Sequence, residues 1–384
     1  MRGGTSRGLV FRREDLPSDR DAWDPIFLAA IGSPDVRELD GVGAGDSHTS
    51  KVAVVEPSPA PEADIDYLFG EVAITEPRVD YAANSGNIIS ALGLWAIEEG
   101  VVAPTPPETR VRVRNTNTGK LIELFVPCDE DGPLEDGDFS IDGVPGYGPR
   151  IDMVFSRPDG AVTGALSPAG APTVELSVPG VGGVEASLVD AANPIVLVWG
   201  DALGVDPLTP VAELNADDGL RRRVQAIRSA AAVAMGLVDR PEDAWDYSPM
   251  IPFPVLVFPP SRYPSLPGAE VTAESMDLCV RVVSLDLFHK SINVTVSVAV
   301  TAAVLVPDTI AHRAAAGADP RAGLRIGHPS GVVHTRGEPT PGDRVEAVDW
   351  VRLGRTARRI MDGEVLVQPY KLRYLRELRA AGGA

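Results

Sequence analysis

The sequence predicts an α+β fold in two domains, and three observations carry that expectation. With 384 residues, 44% of them hydrophobic, the chain is apolar enough to be globular and too long for one comfortable core. Short runs of strand-forming residues recur along it, separated by Gly and Pro. Each half also holds one long apolar segment preceded by a polar loop of small residues. The boundary is placed near residue 185, giving domains 1–185 and 186–384, because the Gly- and Pro-rich stretches 128–149 and 167–183 interrupt the chain before it.

Taken in order, VAVV (52–55) is the first clear strand. Residues 85–99 read as a helix entered through Asn84 as N-cap and stopped by Gly100. Ile88, Ile89, Leu92, Leu94, Trp95 and Ile97 wrap most of its circumference, so it is expected to lie buried within sheet. TRVRVRN (109–115) alternates, turns through 115–119 and resumes as KLIELFV (120–126), the pattern of a β-hairpin. VEASLV (184–189), IVLVW (195–199), VLVF (255–258) and VRVVSL (280–285) are further strands, and residues 211–237 read as one helix with a charged, exposed face. Residues 291–313 are ambiguous. VTVSVAVT alternates as a strand does, whereas TAAVLV and DTIAHRAA read as helix, and pattern alone favours the strand.

Composition excludes several functions. A net charge of −19 opposes nucleic acid and anionic membranes, because association would begin with repulsion. It also works against a small anionic substrate, whose pocket would need local donors. Two cysteines supply neither a disulfide framework nor a metal ligand set, and the five histidines lack metal-type spacing, so no metal is expected. The longest apolar run, 292–306, is short and broken by Ser and Thr, and the amino terminus carries no signal-type stretch; a soluble, cytoplasmic protein is expected. Lysine occurs only at 51, 120, 290 and 371, so a lysine in a tight loop stands out as a titratable amine in a chain that otherwise uses Arg for charge.

Five motifs carry chemistry, each with a plain alternative. Gly4-Thr5-Ser6-Arg7-Gly8 has nucleophile-elbow spacing, but only three residues precede it, which favours a glycine-rich loop able to present N–H groups to an anion. Residues 41–45 lack the spacing of a nucleotide loop and read as a turn. Thr49-Ser50-Lys51 precedes the strand VAVV and would hold an ammonium at the mouth of a core, where desolvation favours the neutral amine; a lysine reaching from a strand end to solvent fits the same pattern. Asn84-Ser85-Gly86-Asn87 opens the first apolar helix, where free N–H groups would stabilise a carboxylate or enolate, or where Asn84 or Ser85 is simply a cap. His328-Pro329-Ser330-Gly331 is a second donor-rich turn, equally open to a structural reading.

The ordered series MRGGTSRG (1–8), GSPD (32–35), TSKVAVV (49–55), DYLFGEV (66–72), NSGN (84–87), DAANPIVLV (190–198), FHK (288–290) and RIGHPSG (325–331) resembles the PrpF family, which includes 2-methylaconitate isomerases, aconitate isomerases and 4-oxalomesaconate tautomerases. The resemblance implies two similar diaminopimelate-epimerase-like domains, each a mostly antiparallel, barrel-like sheet wrapped around a central helix, with the active site between them. It makes 85–99 the first central helix and 291–306 the second. Relatives usually carry a strand ahead of MRGG, so by the resemblance either the start of this chain is late or the first sheet is altered. By the same resemblance Lys51 is the acid/base residue of a cofactor-independent allylic proton shift. The family often has Cys where this chain has Ser85; an unassisted hydroxyl is a far poorer base than a thiol, which leaves a one-base mechanism with Ser85 as donor or relay. Resemblance and donor content together assign the carboxylates of a small polycarboxylate substrate to Gly3, Gly4, Thr5 and Ser6, to Asn84, Gly86 and Asn87, and across the cleft to Lys290, Ser330 and Gly331. A homodimer is left open. The rivals are a carboxylate-binding relative without catalysis and an amino-acid epimerase, which would want paired thiols in matching motifs.

Overall fold

The computed structural model describes residues 1–342 and 345–382. Among these, 18 strands join into one hydrogen-bonded sheet built from a pairing order that occurs twice. In the first half Ser6–Arg12 runs parallel to Lys51–Pro57, which is antiparallel to Ile65–Val72, which is parallel to Glu108–Asn115. The predicted hairpin then leads to Leu121–Pro127 and Ile151–Ser156. Asn193–Trp199, Phe253–Phe258, Leu278–Ser284, Leu324–His328, Gly331–Pro339 and Val348–Arg355 repeat that alternation step for step. Ile151–Ser156 pairs with Val348–Arg355, so the two sheets join along one seam.

Each half carries a helix in its second parallel crossover, Gly86–Glu98 in the first and Val294–Leu305 in the second. Both are enclosed by sheet, and one continuous apolar core holds both of them. The first begins at Gly86 with Ser85, not Asn84, in the capping position. Asn84 is withdrawn because its backbone N–H and C=O both bond the Asn193 amide. The acidic end of this helix, unfavourable to its dipole, is answered by Arg359, which pairs with Glu98 and Glu99.

The second central helix overturns the strand favoured by pattern. Alternating Val places apolar atoms on every side of a helix, which suits an element buried from Val294 to Val304, and burial outweighs the weak helix preference of β-branched residues. Two of its polar residues bond within the helix, Ser297 Oγ donating to Val294 O and Thr301 Oγ1 to Ser297 O. The single helix expected over 211–237 is two, Val211–Ala216 and Asp218–Ala234. Asp217 leaves helical geometry and accepts from Leu220 N, capping the second.

The chain's last segment returns to the first half. Arg2–Gly3 pairs with both Ser6–Arg12 and Ala357–Arg358. The helix Pro369–Gly382 places Leu375 in a cluster with Trp23, Phe27 and Leu28 of the helix Trp23–Ile31. No described helix is long and apolar enough to cross a membrane.

Candidate active site

Lys51 opens its strand and stands directly opposite Glu71 in the antiparallel ladder. Both side chains are buried, at 4% and 1% exposure, a costly state for either alone. The ammonium donates to Glu71 Oε2 and lies 5.5 Å from the centroid of the Phe69 ring. Burial pushes the Glu71 carboxyl up to about 7 against the opposing pull of the Lys51 charge. A carboxyl titrating there can exchange a proton with the amine it bonds.

The amino termini of both central helices meet at this pair. A methyl group on Gly86 would lie 2.3 Å from Val294 Cγ1, so only glycine lets the helices approach this closely. Ser85 caps the first helix and Asn293 the second, yet neither side chain makes a capping hydrogen bond. Both line the chamber that contains Lys51 and Glu71, and Asn293 Oδ1 is buried without a partner among the described residues. First-turn N–H groups and two positive helix ends therefore converge beside a lysine, which suits a developing dienolate. Asn193 locks the junction, donating to Asn84 O at 2.9 Å and to Thr295 Oγ1 at 2.8 Å.

The loop of Gly3, Gly4, Thr5 and Ser6 packs on the first turn of the first central helix. A methyl on Gly3 or Gly4 would lie 2.1 Å from Asn87 O or Oδ1, and Asn87 Nδ2 donates to Thr5 Oγ1 at 3.0 Å and to Ser6 Oγ at 3.4 Å. Asn87 is thus spent on holding the loop.

The sequence profile described as PrpF protein matches residues 1–368. The chain belongs to the PrpF family. It is 35% identical to the 3-methylitaconate isomerase of Eubacterium barkeri, covering 97% of each chain. The crystal structure of a methylitaconate-delta-isomerase superposes with a TM-score of 0.78 at 35% identity, over 97% of this chain and 95% of that one. A hydroxyproline epimerase from Agrobacterium vitis, 15% identical with a TM-score of 0.52 over 93% and 84%, shares the fold alone. The PrpF-type fold here is the two-domain, diaminopimelate-epimerase-like α+β architecture.

In this PrpF-family chain Gly3, Gly4, Thr5, Ser6, Lys51, Asn84, Ser85, Gly86 and Asn87 come together, and the three residues expected from across the cleft are engaged by other groups of the protein, with Ser330 close to the loop: a methyl on Gly143 would lie 3.3 Å from Ser330 Cβ and 3.4 Å from Thr5 Cγ2. Lys290 is exposed and pairs with Asp46 at 2.7 Å. Ser330 Oγ donates to Lys290 O at 2.6 Å. Beside Gly331, Val332 N donates to Asp142 Oδ2 at 2.6 Å, so a carboxylate of the protein already sits at that turn. His48 and His289, with ring centroids 4.1 Å apart, close the first half over the second next to Lys51. Burial holds His289 well below the usual imidazole range, hence neutral.

Glu71, Asn293 and Thr295 were not singled out from sequence. An acid inside the otherwise apolar strand IDYLFGEV, where Asp66 is a second, was the available signal for Glu71. Asn293 could be read as a cap only once 294–305 was known to be a helix. Among the described residues no group of three or more His, Cys, Asp or Glu is placed to hold a metal ion.

Proposed function

We propose that this isomerase moves a proton between the ends of an allylic system in a small unsaturated di- or tricarboxylate, with Lys51 as the single acid/base and no cofactor. The observation that carries the reading is the buried Lys51–Glu71 pair facing the abutted amino termini of two helices. Neutral Lys51 takes the proton from the carbon next to the double bond, and the C–H electron pair moves into a dienolate whose charge rests on the substrate carboxylate. Helix N–H groups at Gly86 and Asn87 and the Ser85 hydroxyl stabilise that charge. The ammonium then returns the proton to the far carbon on the same face, and the double bond has shifted. The two sheets serve as the two halves, each bringing its central helix to the site; the boundary expected near residue 185 falls inside the strand Gly182–Ala191, and the last segment of the chain packs on the first half.

Proton NMR in D₂O with 2-methylaconitate, trans-aconitate and 4-oxalomesaconate in turn tests this. A new isomer or exchange at an allylic carbon is expected with the natural protein, and Lys51→Met is expected to lose at least about 10³-fold in rate, the upper part of the range for removing a general base. No change in any substrate signal with folded protein overturns the assignment. The serine at position 85 favours one second reading, a carboxylate binder without turnover, in which Lys51→Met would alter affinity alone.

A further inference from the structure

Three buried arginines differ in what they hold. Arg228 donates to Ser248 O at 2.7 Å and to Gln225 Oε1 at 2.7 Å, and Arg281 donates to Val280 O and Pro207 O while stacking on Tyr263. Among the described residues Arg355, 5% exposed, donates only to the carbonyl of its neighbour Gly354 at 2.9 Å; its Nε, like that of Arg281, has no partner, but Arg355 has no second carbonyl and no aromatic ring to hold it. No carboxylate of the described residues pairs with it, and burial pulls its pKa down, to about 10. In a chain with 54 acidic and 35 basic residues, a buried guanidinium without an acid is an uncompensated cost.

Its position gives that cost a purpose. Arg355 ends its strand beside the loop predicted to bind substrate, and a methyl on Gly4 would lie 2.1 Å from Asn87 Oδ1 and 3.1 Å from Arg355 Cδ. It lines a cleft of about 990 Å³ together with Thr5, Ser291, Ile292 and His328, whereas the chamber around Lys51 measures about 10 Å³. The hydroxyls of Thr5 and Ser291 meet at 3.3 Å, and Thr5 bonds Asn87, which lines the Lys51 chamber. The cleft and the chamber therefore share a wall of hydroxyl and amide groups. His328 accepts from Ser330 N at Nδ1, which places its proton on Nε2 and makes it a neutral donor in the same cleft.

We propose that Arg355 is the anchor for a substrate carboxylate remote from the reacting carbon, gripping it from the cleft with Thr5, Ser291 and His328 as further donors. This rests on the isomerase reading and extends it: the enzyme selects acids with a second carboxylate that reaches past Thr5, and a monocarboxylate with the same allylic unit is a poor ligand. A guanidinium held in place before binding supplies the local positive charge that the overall field of the molecule denies.

Calorimetric titration with tricarballylate, a saturated tricarboxylate with no allylic proton, reads binding apart from turnover. The natural protein is expected to bind it, Arg355→Met to bind about 10- to 100-fold more weakly, and Arg355→Lys to fall between. Unliganded Arg355→Met is expected to unfold at or above the natural protein's temperature, since an unpaired buried charge has been removed. Equal affinity in the natural protein and Arg355→Met overturns the proposal, as does absence of binding to the natural protein. A lower unfolding temperature in both variants also overturns it, marking Arg355 as structural. Allylic exchange by the natural protein beside unchanged Arg355→Met affinity would keep the isomerase and reject the anchor; Arg355-dependent binding without exchange would do the reverse.

Discussion

Glu71 makes the proposed base responsive to pH. Its carboxyl, raised to about 7 by burial, holds a proton in the folded state that an unfolded chain would release near the ordinary glutamate value of 4.5. The contribution of this group to stability is therefore fullest below about 4.5 and is lost as pH rises toward 7. Activity has the opposite sign: below about 7 the pair carries two protons and Lys51 cannot accept another. The kcat/KM of the natural enzyme should rise with pH on a limb centred near 7, and Glu71→Gln should remove or displace that limb, as a pH–rate profile would show. A limb unchanged in Glu71→Gln would assign it to another group. Lys51 stood out in the sequence because lysine is scarce here, but its partner did not. Twenty residues separate the two, and only strand register sets them face to face.

At the level of elements, the contact between the two central helices is the joint on which the site depends. Gly86→Ala would drive a methyl into Val294 at 2.3 Å from Cγ1 and 2.7 Å from Cβ. The expected cost is about 1–3 kcal/mol in denaturant unfolding, the range for overpacking a core, with a fall in kcat because the helix ends separate. The first of these helices could be read from sequence, since residues 88–97 are apolar or small on every side and Gly100, at φ 71°, stops them. The second could not, because alternating Val satisfies the period of a strand as well as the all-round burial of an enclosed helix. The hairpin was legible from alternation and its turn, both local signals. Lys290, Ser330 and Gly331 were placed at the site by motif, and the structure occupies them with Asp46, Lys290 O and Asp142 in contacts no local pattern encodes.

Across the whole molecule, a charge of −19 surrounds a site for which we propose a polyanionic substrate. Added salt should screen that field, so the KM of a tricarboxylate is expected to fall severalfold between about 10 and 150 mM NaCl, where the Debye length shortens from about 30 to 8 Å. A steady-state series in NaCl checks this, and a rising KM would mean that local donors such as Arg355 dominate the approach. The strand Arg2–Gly3 lies between Ser6–Arg12 and Ala357–Arg358, and Leu375 fills a cluster around Trp23 and Phe27. Arg2 and Gly3 are thus translated long before Ala357 and Arg358, their neighbours in the sheet. At translation speeds of about 5–20 residues per second, the first half waits seconds to tens of seconds with an open sheet edge and an uncovered apolar face. That interval, rather than the finished structure, is when the chain is most exposed to chaperones, proteases and its own sister chains.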